Sequence, residues 1–245
     1  MPDIQGTPSE DVLVFIIESA GNGLSLVENG VRIKQLADAR EVLEYLHVHL
    51  FSRSLEDLPG AALLHAACLR HFDRRLLLVG TKGAGKTTLA LRLLLAGCEI
   101  EGDEHVFLKD IGVIARPRAC RVKERSLAYL PEFAEIISTS PFYQDHQSGR
   151  IFNVDPRRLG SDWRIAEGGV DYVIFLQANH GGSSSIRPVE PSKLAQLLMQ
   201  EVGLREAGRG TCISSIAALV RNAQGFELLL GDHSSAVDCI QAVAT

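Results

Sequence analysis

Apolar positions fall into two rhythms along the chain, and their order predicts alternating strands and helices. VLVFII, ending at Ile17, is a continuous apolar run followed by AGNG, whose residues suit a turn. LSLVENGVRIK then alternates around an Asn-Gly pair, the pattern of a hairpin. In ADAREVLEYLHVHLF, Ala39, Val42, Leu43, Leu46 and Leu50 recur at helical spacing, and LEDLPG closes this first unit at about residue 60. ALLHAACL and RRLLLVG read as neighbouring strands joined by RHFDRR, and a helix follows from Lys86 to about Ala96, stopped by Gly97.

EIEGDEHVFLKDIGVIARP predicts a strand, an acidic turn and a hairpin around Lys109 and Asp110. DYVIFLQA from Asp171 is a further strand, and PSKLAQLLMQEVGL is a helix opened by Pro191. SSIAALVRNAQG is a helix, FELLLG a last strand and SSAVDCIQAVA a final helix. The stretch from Ser138 to Gly169 lacks either rhythm and reads as long loops, which in a compact domain tend to be functional. The expectation is an α/β sandwich with a mixed sheet, residues 61–245, preceded by a small α+β unit, residues 1–60.

One segment carries chemistry. Gly80-Thr81-Lys82-Gly83-Ala84-Gly85-Lys86-Thr87 completes the pattern GxxxxGK[ST] between an apolar strand and a helix. Glycines let backbone N–H groups turn inward around phosphate oxygens, and the helix N-terminus adds unpaired donors. Lys86 then neutralises the β- and γ-phosphates, and Thr87, followed by Thr88, offers a hydroxyl to Mg²⁺. This Walker A pattern points to a nucleoside triphosphate without fixing a reaction.

Asp103 and Glu104 follow about twenty residues later. A carboxylate at a strand end beside the cradle can hold Mg²⁺ or accept a proton from an attacking hydroxyl; the alternative is a solvated acidic turn. Adjacent acids on an extended chain point to opposite faces, so the two need not share a role.

Composition narrows the setting. The 245 residues are 46 % hydrophobic and 22 % charged with a net charge of −5, which gives no general attraction to nucleic acid or to an anionic membrane. Five cysteines, with no CxxC pair, suit reduced buried thiols. The acidic start MPDIQGTPSED lacks a targeting pattern and no apolar run is long enough to span a bilayer, so the expected location is the cytoplasm. Neither a zinc-ligand cluster nor a Gly-x-Ser-x-Gly elbow is present.

The block LLHAACLRHFDRRLLLVGTKGAGKTTLALRLLLAGCEIEGDEHVFL resembles the core of the HPr kinase/phosphorylase family, above all its smaller kinase-like relatives. The matching features are His65 in a strand before the cradle, the cradle itself, Gly97 at the helix end, and the acidic pair. RPRACRVKERSL is similar to a Pro-x-x-x-Leu-Lys-Glu-x-Ser run of those relatives, and the resemblance extends over about residues 60–245. IEGDEHVF is also similar to the acidic motif of the phosphoenolpyruvate carboxykinases, whose length and substrate-site pattern the chain lacks.

The resemblance implies an ATP- and Mg²⁺-dependent kinase acting on a Ser or Thr hydroxyl of a protein or peptide. Asp103 is then the general base, Glu104 assists the metal or the polar network around it, and His65 lies near the γ-phosphate. Homo-oligomers are common in that family. Two positions depart from it: Thr87-Thr88 replaces a pair beginning with Ser, and Asp-Glu replaces Asp-Asp. The later signature linked to phosphorolysis is absent, which argues against HPr itself as the acceptor. A small-metabolite kinase and a nucleotide-sensing module without chemistry stand as alternatives.

Beyond the resemblance, Arg116, Arg118, Arg121, Lys123 and Arg125 form a basic run suited to clamping phosphate or an acidic acceptor, or to protecting an edge strand. Arg157 and Arg158 are candidates for phosphate or peptide contact. His180 to Ser185 reads as a turn after a strand, with a loop bordering the site as the alternative; His47 and His49 read as surface residues, and Asp232 with His233 reads as a helix cap.

Overall fold

The computed structural model describes residues 13–244, apart from 57, 59, 60, 117, 146, 147, 163 and 180, with no side-chain description for 40, 44, 47, 48, 51, 52, 54–56, 204–209 and 211. The chain divides into two compact units, Met1–Pro59 and Gly60–Thr245. The first holds β1 (Phe15–Ala20), β2 (Gly23–Glu28), β3 (Val31–Leu36) and α1 (Ala39–Glu56). The three strands form an antiparallel meander. Asn29-Gly30 makes the second turn, with both residues at positive φ, as a tight hairpin requires. On α1 the predicted apolar face is only partly used: Val42 is buried, whereas Leu43 and Leu50 are exposed. His49 is not a surface residue; it is half-buried against Glu28 (3.0 Å) and Tyr45. His47 lies outside the described side chains.

In chain order the second unit comprises β4 (Ala62–Leu64), β5 (Ala66–His71), β6 (Arg74–Val79), α2 (Lys86–Leu95), β7 (Glu99–Gly102), β8 (Val106–Lys109), β9 (Gly112–Ala115), β10 (Cys120–Lys123), α3 (Ala134–Ser138), β11 (Phe142–Asp145) and β12 (Gly149–Val154). β13 (Ala166–Gly168), β14 (Tyr172–Ala178), β15 (Ser185–Pro188), α4 (Pro191–Met199), β16 (Val202–Gly203), α5 (Leu204–Asn222), β17 (Gln224–Leu230) and α6 (His233–Ala244) complete it. A six-stranded mixed sheet has the order β15-β17-β14-β6-β5-β7, and a five-stranded sheet the order β13-β9-β8-β4-β16. A third, three-stranded sheet is ordered β10-β12-β11.

Alternation along β6 explains how the layers assemble. Leu76 and Leu78 face a core shared with α2, α6 and the three-stranded sheet. Leu77 and Val79 face the opposite core, shared with the five-stranded sheet, α4 and α5. Tyr172, Ile174 and Leu176 on β14 divide from Val173 and Phe175 in the same way. Strands buried on both faces read as continuous apolar runs, as RRLLLVG and DYVIFLQA do.

Three expectations need correction. ALLHAACL is not one strand: it breaks at His65, β4 joining the five-stranded sheet and β5 the six-stranded one. PSKLAQLLMQEVGL does not remain helical, since α4 stops at Met199 and Val202–Gly203 pairs with β4. The stretch from Ser138 to Gly169 is not mainly loop, because it holds β11, β12, a 3-10 turn at Pro156–Leu159 and β13. Its apolar residues are few but placed where β12 needs them, with Ile151, Phe152 and Val154 buried. All five cysteines are free, four of them buried. Among the described residues no helix is long and apolar enough to cross a membrane.

Candidate phosphate-binding and catalytic site

β6 runs parallel to β14, and β14 parallel to β17. β5 is antiparallel to both β6 and β7, so β7 also runs with β6. The segments after β7, β6, β14 and β17 therefore gather along one edge of the sheet, where open α/β sheets bind ligands. The glycine-rich segment follows β6 there and leads directly into α2. Gly80, at φ +153°, passes Leu176 so closely that a Cβ would lie 2.7 Å from its carbonyl oxygen. Gly85 caps α2 at φ +101°. Gly80→Ala is expected to destabilise the fold by about 1–3 kcal/mol and to weaken triphosphate binding, checked by thermal melting and by titration with MgATP.

Lys86 is buried, and its Nζ donates to the carbonyl oxygens of Gly80 and Thr81. Burial lowers its pKa, an effect opposed by Glu201, Asp103 and Glu104. Its two bonds go to neutral carbonyls, so the ammonium charge remains for a ligand.

Asp103 is 2 % exposed. Its Oδ2 accepts a hydrogen bond from Thr87 Oγ1 at 2.8 Å, and its Oδ1 is buried with no hydrogen-bond partner. Burial pushes the carboxyl up to about 6, more than the Thr87 bond lowers it. Glu104 turns away through a positive φ of 68°, and its Oε2 meets Arg118 at 2.9 Å and Arg121 at 3.5 Å. The two acids thus separate, one sunk beside the cradle and one tied to guanidinium groups.

The break between β4 and β5 places His65 at the site. It lines the same cavity, with Nδ1 3.9 Å from Glu201, and burial followed by Lys86 lowers its pKa. Glu201 escaped sequence reasoning: it sits in a turn that no motif marks, yet its charge acts on Lys86. His105 was missed too. Burial and then Arg118 push it down to about 4, so its neutral ring accepts a bond from Arg118 at 2.9 Å.

A cavity of about 820 Å³ is lined by the cradle from Lys82 to Thr88, by His65, Asp103 and Glu104, and by Arg121, Lys123 and Arg125, while Glu201, His105 and Arg118 stand behind this lining. Lys123 has its pKa lowered by burial and then by the like charges of Arg125 and Lys82. β10, which carries Arg121 and Lys123, is an edge strand of its sheet, and both side chains line the cavity. Arg118 braces Glu104, and Arg116 stacks on Phe107. Arg157 and Arg158 do not line the cavity; the first bonds Asp155 and the second bonds Ser140 and Thr139. Asp232 does cap α6, its Oδ2 accepting from Ser235 N at 2.8 Å, yet it also lines the cavity with His233. His180 lies outside the described residues, while Gly181 and Gly182 line the cavity.

Thr87 and Asp103 suit a magnesium ion, which takes hard oxygen ligands and draws only one or two from protein, the rest from water and phosphate. The partnerless Oδ1 leaves the buried carboxylate incompletely satisfied without a ligand. Among the described residues no group of three or more His, Cys, Asp or Glu side chains is placed to hold a metal.

No family model matches the chain, and no curated protein does. Among solved structures it is similar to the Hpr(Ser) kinase/phosphatase from Coxiella burnetii, with a TM-score of 0.36 and 13 % identity, over 74 % of this chain and 95 % of that one. That likeness is distant.

Proposed function

We propose that the protein is an ATP- and Mg²⁺-dependent phosphotransferase that passes the γ-phosphoryl group to a Ser or Thr hydroxyl of a protein or peptide. The observation that carries this reading is Asp103, a buried carboxylate with one oxygen on the cradle's Thr87 and the other unpartnered. A carboxylate so placed suits Mg²⁺ on the Thr87 side and, through its other oxygen, the proton of an attacking hydroxyl.

Lys86 would exchange its bonds to the Gly80 and Thr81 carbonyls for phosphate oxygens, offsetting charge on the β- and γ-groups. Thr87 and the Oδ2 side of Asp103 would hold Mg²⁺, which supplies charge neutralisation to the bridging phosphate oxygens. Oδ1 of Asp103 would take the proton of the acceptor hydroxyl as its oxygen bonds to phosphorus and the bond from phosphorus to ADP breaks. Glu104, fixed by Arg118 and Arg121, would orient the polar groups beside this exchange, and His65 would stand neutral next to it. Lys82 and Arg125 are exposed at the cavity rim, which suits the acidic flank of a protein segment better than an enclosed metabolite.

The test is incubation with γ-labelled ATP, Mg²⁺ and a cell extract, with Asp103→Asn as control. Label on a Ser or Thr of one protein, lost with the variant, supports the reading. Label on a small molecule would reassign the acceptor, and no transfer above the variant would leave only a nucleotide binder.

A further inference from the structure

The cavity has two ends, and only one is used by the chemistry above. Asp103 follows β7 and His233 follows β17, on opposite sides of β6 in the sheet order β17-β14-β6-β5-β7. Asp103 reaches Thr87, while Leu230, three residues before His233, packs against Gly85, so the two ends flank the glycine-rich segment. Thr87 and Asp103 mark the metal and γ-phosphate end. The rest of a nucleotide must therefore leave the cradle toward β17.

What stands there is an aromatic pair. The Tyr129 and His233 rings lie 4.9 Å apart, centre to centre, at 32°. Both line the cavity, with Leu230 beside them. Tyr129 ends the 3-10 segment Glu124–Tyr129, which continues β10, so one wall runs from Arg121 at Glu104 to this pair. Tyr129 is 54 % exposed, leaving ring surface for a ligand. His233 Nε2 is buried without a hydrogen-bond partner.

The surrounding lip is already fastened. Asp232 N donates to Gly182 O at 3.1 Å, Ser184 Oγ to Asp232 O at 2.6 Å, and Gly231 N to Ser184 Oγ at 3.0 Å. Burial and then Arg92 lower the His233 pKa, so the ring is neutral near pH 7 and able to stack without a charge.

Resting on the triphosphate reading of the cradle, we propose that the Tyr129–His233 pair is the platform on which the base of the nucleotide stacks, and that it selects a purine nucleoside triphosphate over bare polyphosphate. A purine offers the larger π face to this pair, and the unpartnered His233 nitrogen lies at the platform's inner edge for a polar atom of base or ribose.

Calorimetric titration of the full chain with MgATP and with magnesium tripolyphosphate tests this. Tyr129→Ala is expected to weaken MgATP about 5- to 150-fold, the range of one aromatic–base stack, and to leave tripolyphosphate unchanged. Tyr129→Phe should retain ATP affinity. Equal losses for both ligands, or no loss for ATP, would overturn the platform. A wild-type protein that binds tripolyphosphate as tightly as ATP would overturn it while leaving the cradle intact. A wild-type protein that binds neither would overturn the nucleotide reading, and the platform with it.

Discussion

Asp103→Asn is expected to reduce phosphoryl transfer about 10²–10⁴-fold, to leave affinity for metal-free nucleotide largely unchanged and to make the free protein more stable at neutral pH. The three outcomes share one cause. The amide side chain of the variant keeps an oxygen for Thr87 but cannot accept a proton. The stability gain follows from the direction of the titration. Burial raises the carboxyl from 3.8 to about 6, so the fold favours the protonated form, and ionising it in place costs about 3 kcal/mol. That cost is absent below pH 4, grows through the interval up to about 6 and stays constant above it. The variant, neutral at every pH, should gain about 1–3 kcal/mol at pH 8, or about 2–10 °C in melting temperature, and little at pH 4. Thermal melts at the two pH values, beside an activity assay, check it. An inactive variant that melts lower at pH 8 would point to damaged folding instead of a lost base.

The second large effect lies behind the site. Glu101 on β7 receives Arg75 of β6 through Nε at 2.6 Å and Nη2 at 3.0 Å, with Arg70 and Cys68 of β5 also donating to it. Arg75 further donates to Gly169 O at 3.0 Å. Burial alone would raise the Glu101 carboxyl, but the Arg75 and Arg70 hydrogen bonds hold it below its usual 4.5. One network therefore ties three strands together two residues before Asp103. Removing Arg75 leaves the buried carboxylate with only the part-exposed Arg70 as its cation, so Arg75→Met is expected to cost up to about 3–5 kcal/mol by urea denaturation. Because the folded-state pKa is depressed, the contribution is full above about pH 4.5 and fades as pH falls below it. The double replacement Arg75→Met with Glu101→Leu should recover much of the loss, since it removes the charge together with its partner. A single variant as stable as the wild type would show the pair to be dispensable.

What the sequence discloses here is what is encoded locally. The glycine-rich turn, the helix from Lys86 and its stop at Gly97 depend on backbone conformations that neighbouring residues dictate, and all are legible. The parting of Asp103 from Glu104 has a cause the sequence did not show: Glu104 leaves through a left-handed backbone after β7 ends, and strand alternation plays no part. The break at His65 was not legible either, since ALLHAACL is apolar throughout apart from that one residue and only pairing with two different sheets reveals it. Glu101 looks like one more acid in EIEGDE, as its partner Arg75 is 26 positions away. Tyr129 and His233 meet only because the chain folds back over α2, and each alone resembles an ordinary surface or cap residue. The hairpin of β11 and β12 was hidden by its polar turn and short strands, and on α1 the period-3.6 reading could not tell that Leu43 and Leu50 face outward.

The central claim is spatial, and a crystal structure with Mg²⁺ and a non-hydrolysable ATP analogue measures it most directly. The account predicts the triphosphate within residues 80–88, the metal on Thr87 and Asp103, and the Asp103 carboxylate roughly 3–5 Å from the γ-phosphoryl group, within direct or one-water reach. A nucleotide bound elsewhere, or a γ-phosphate out of reach of Asp103, would contradict it.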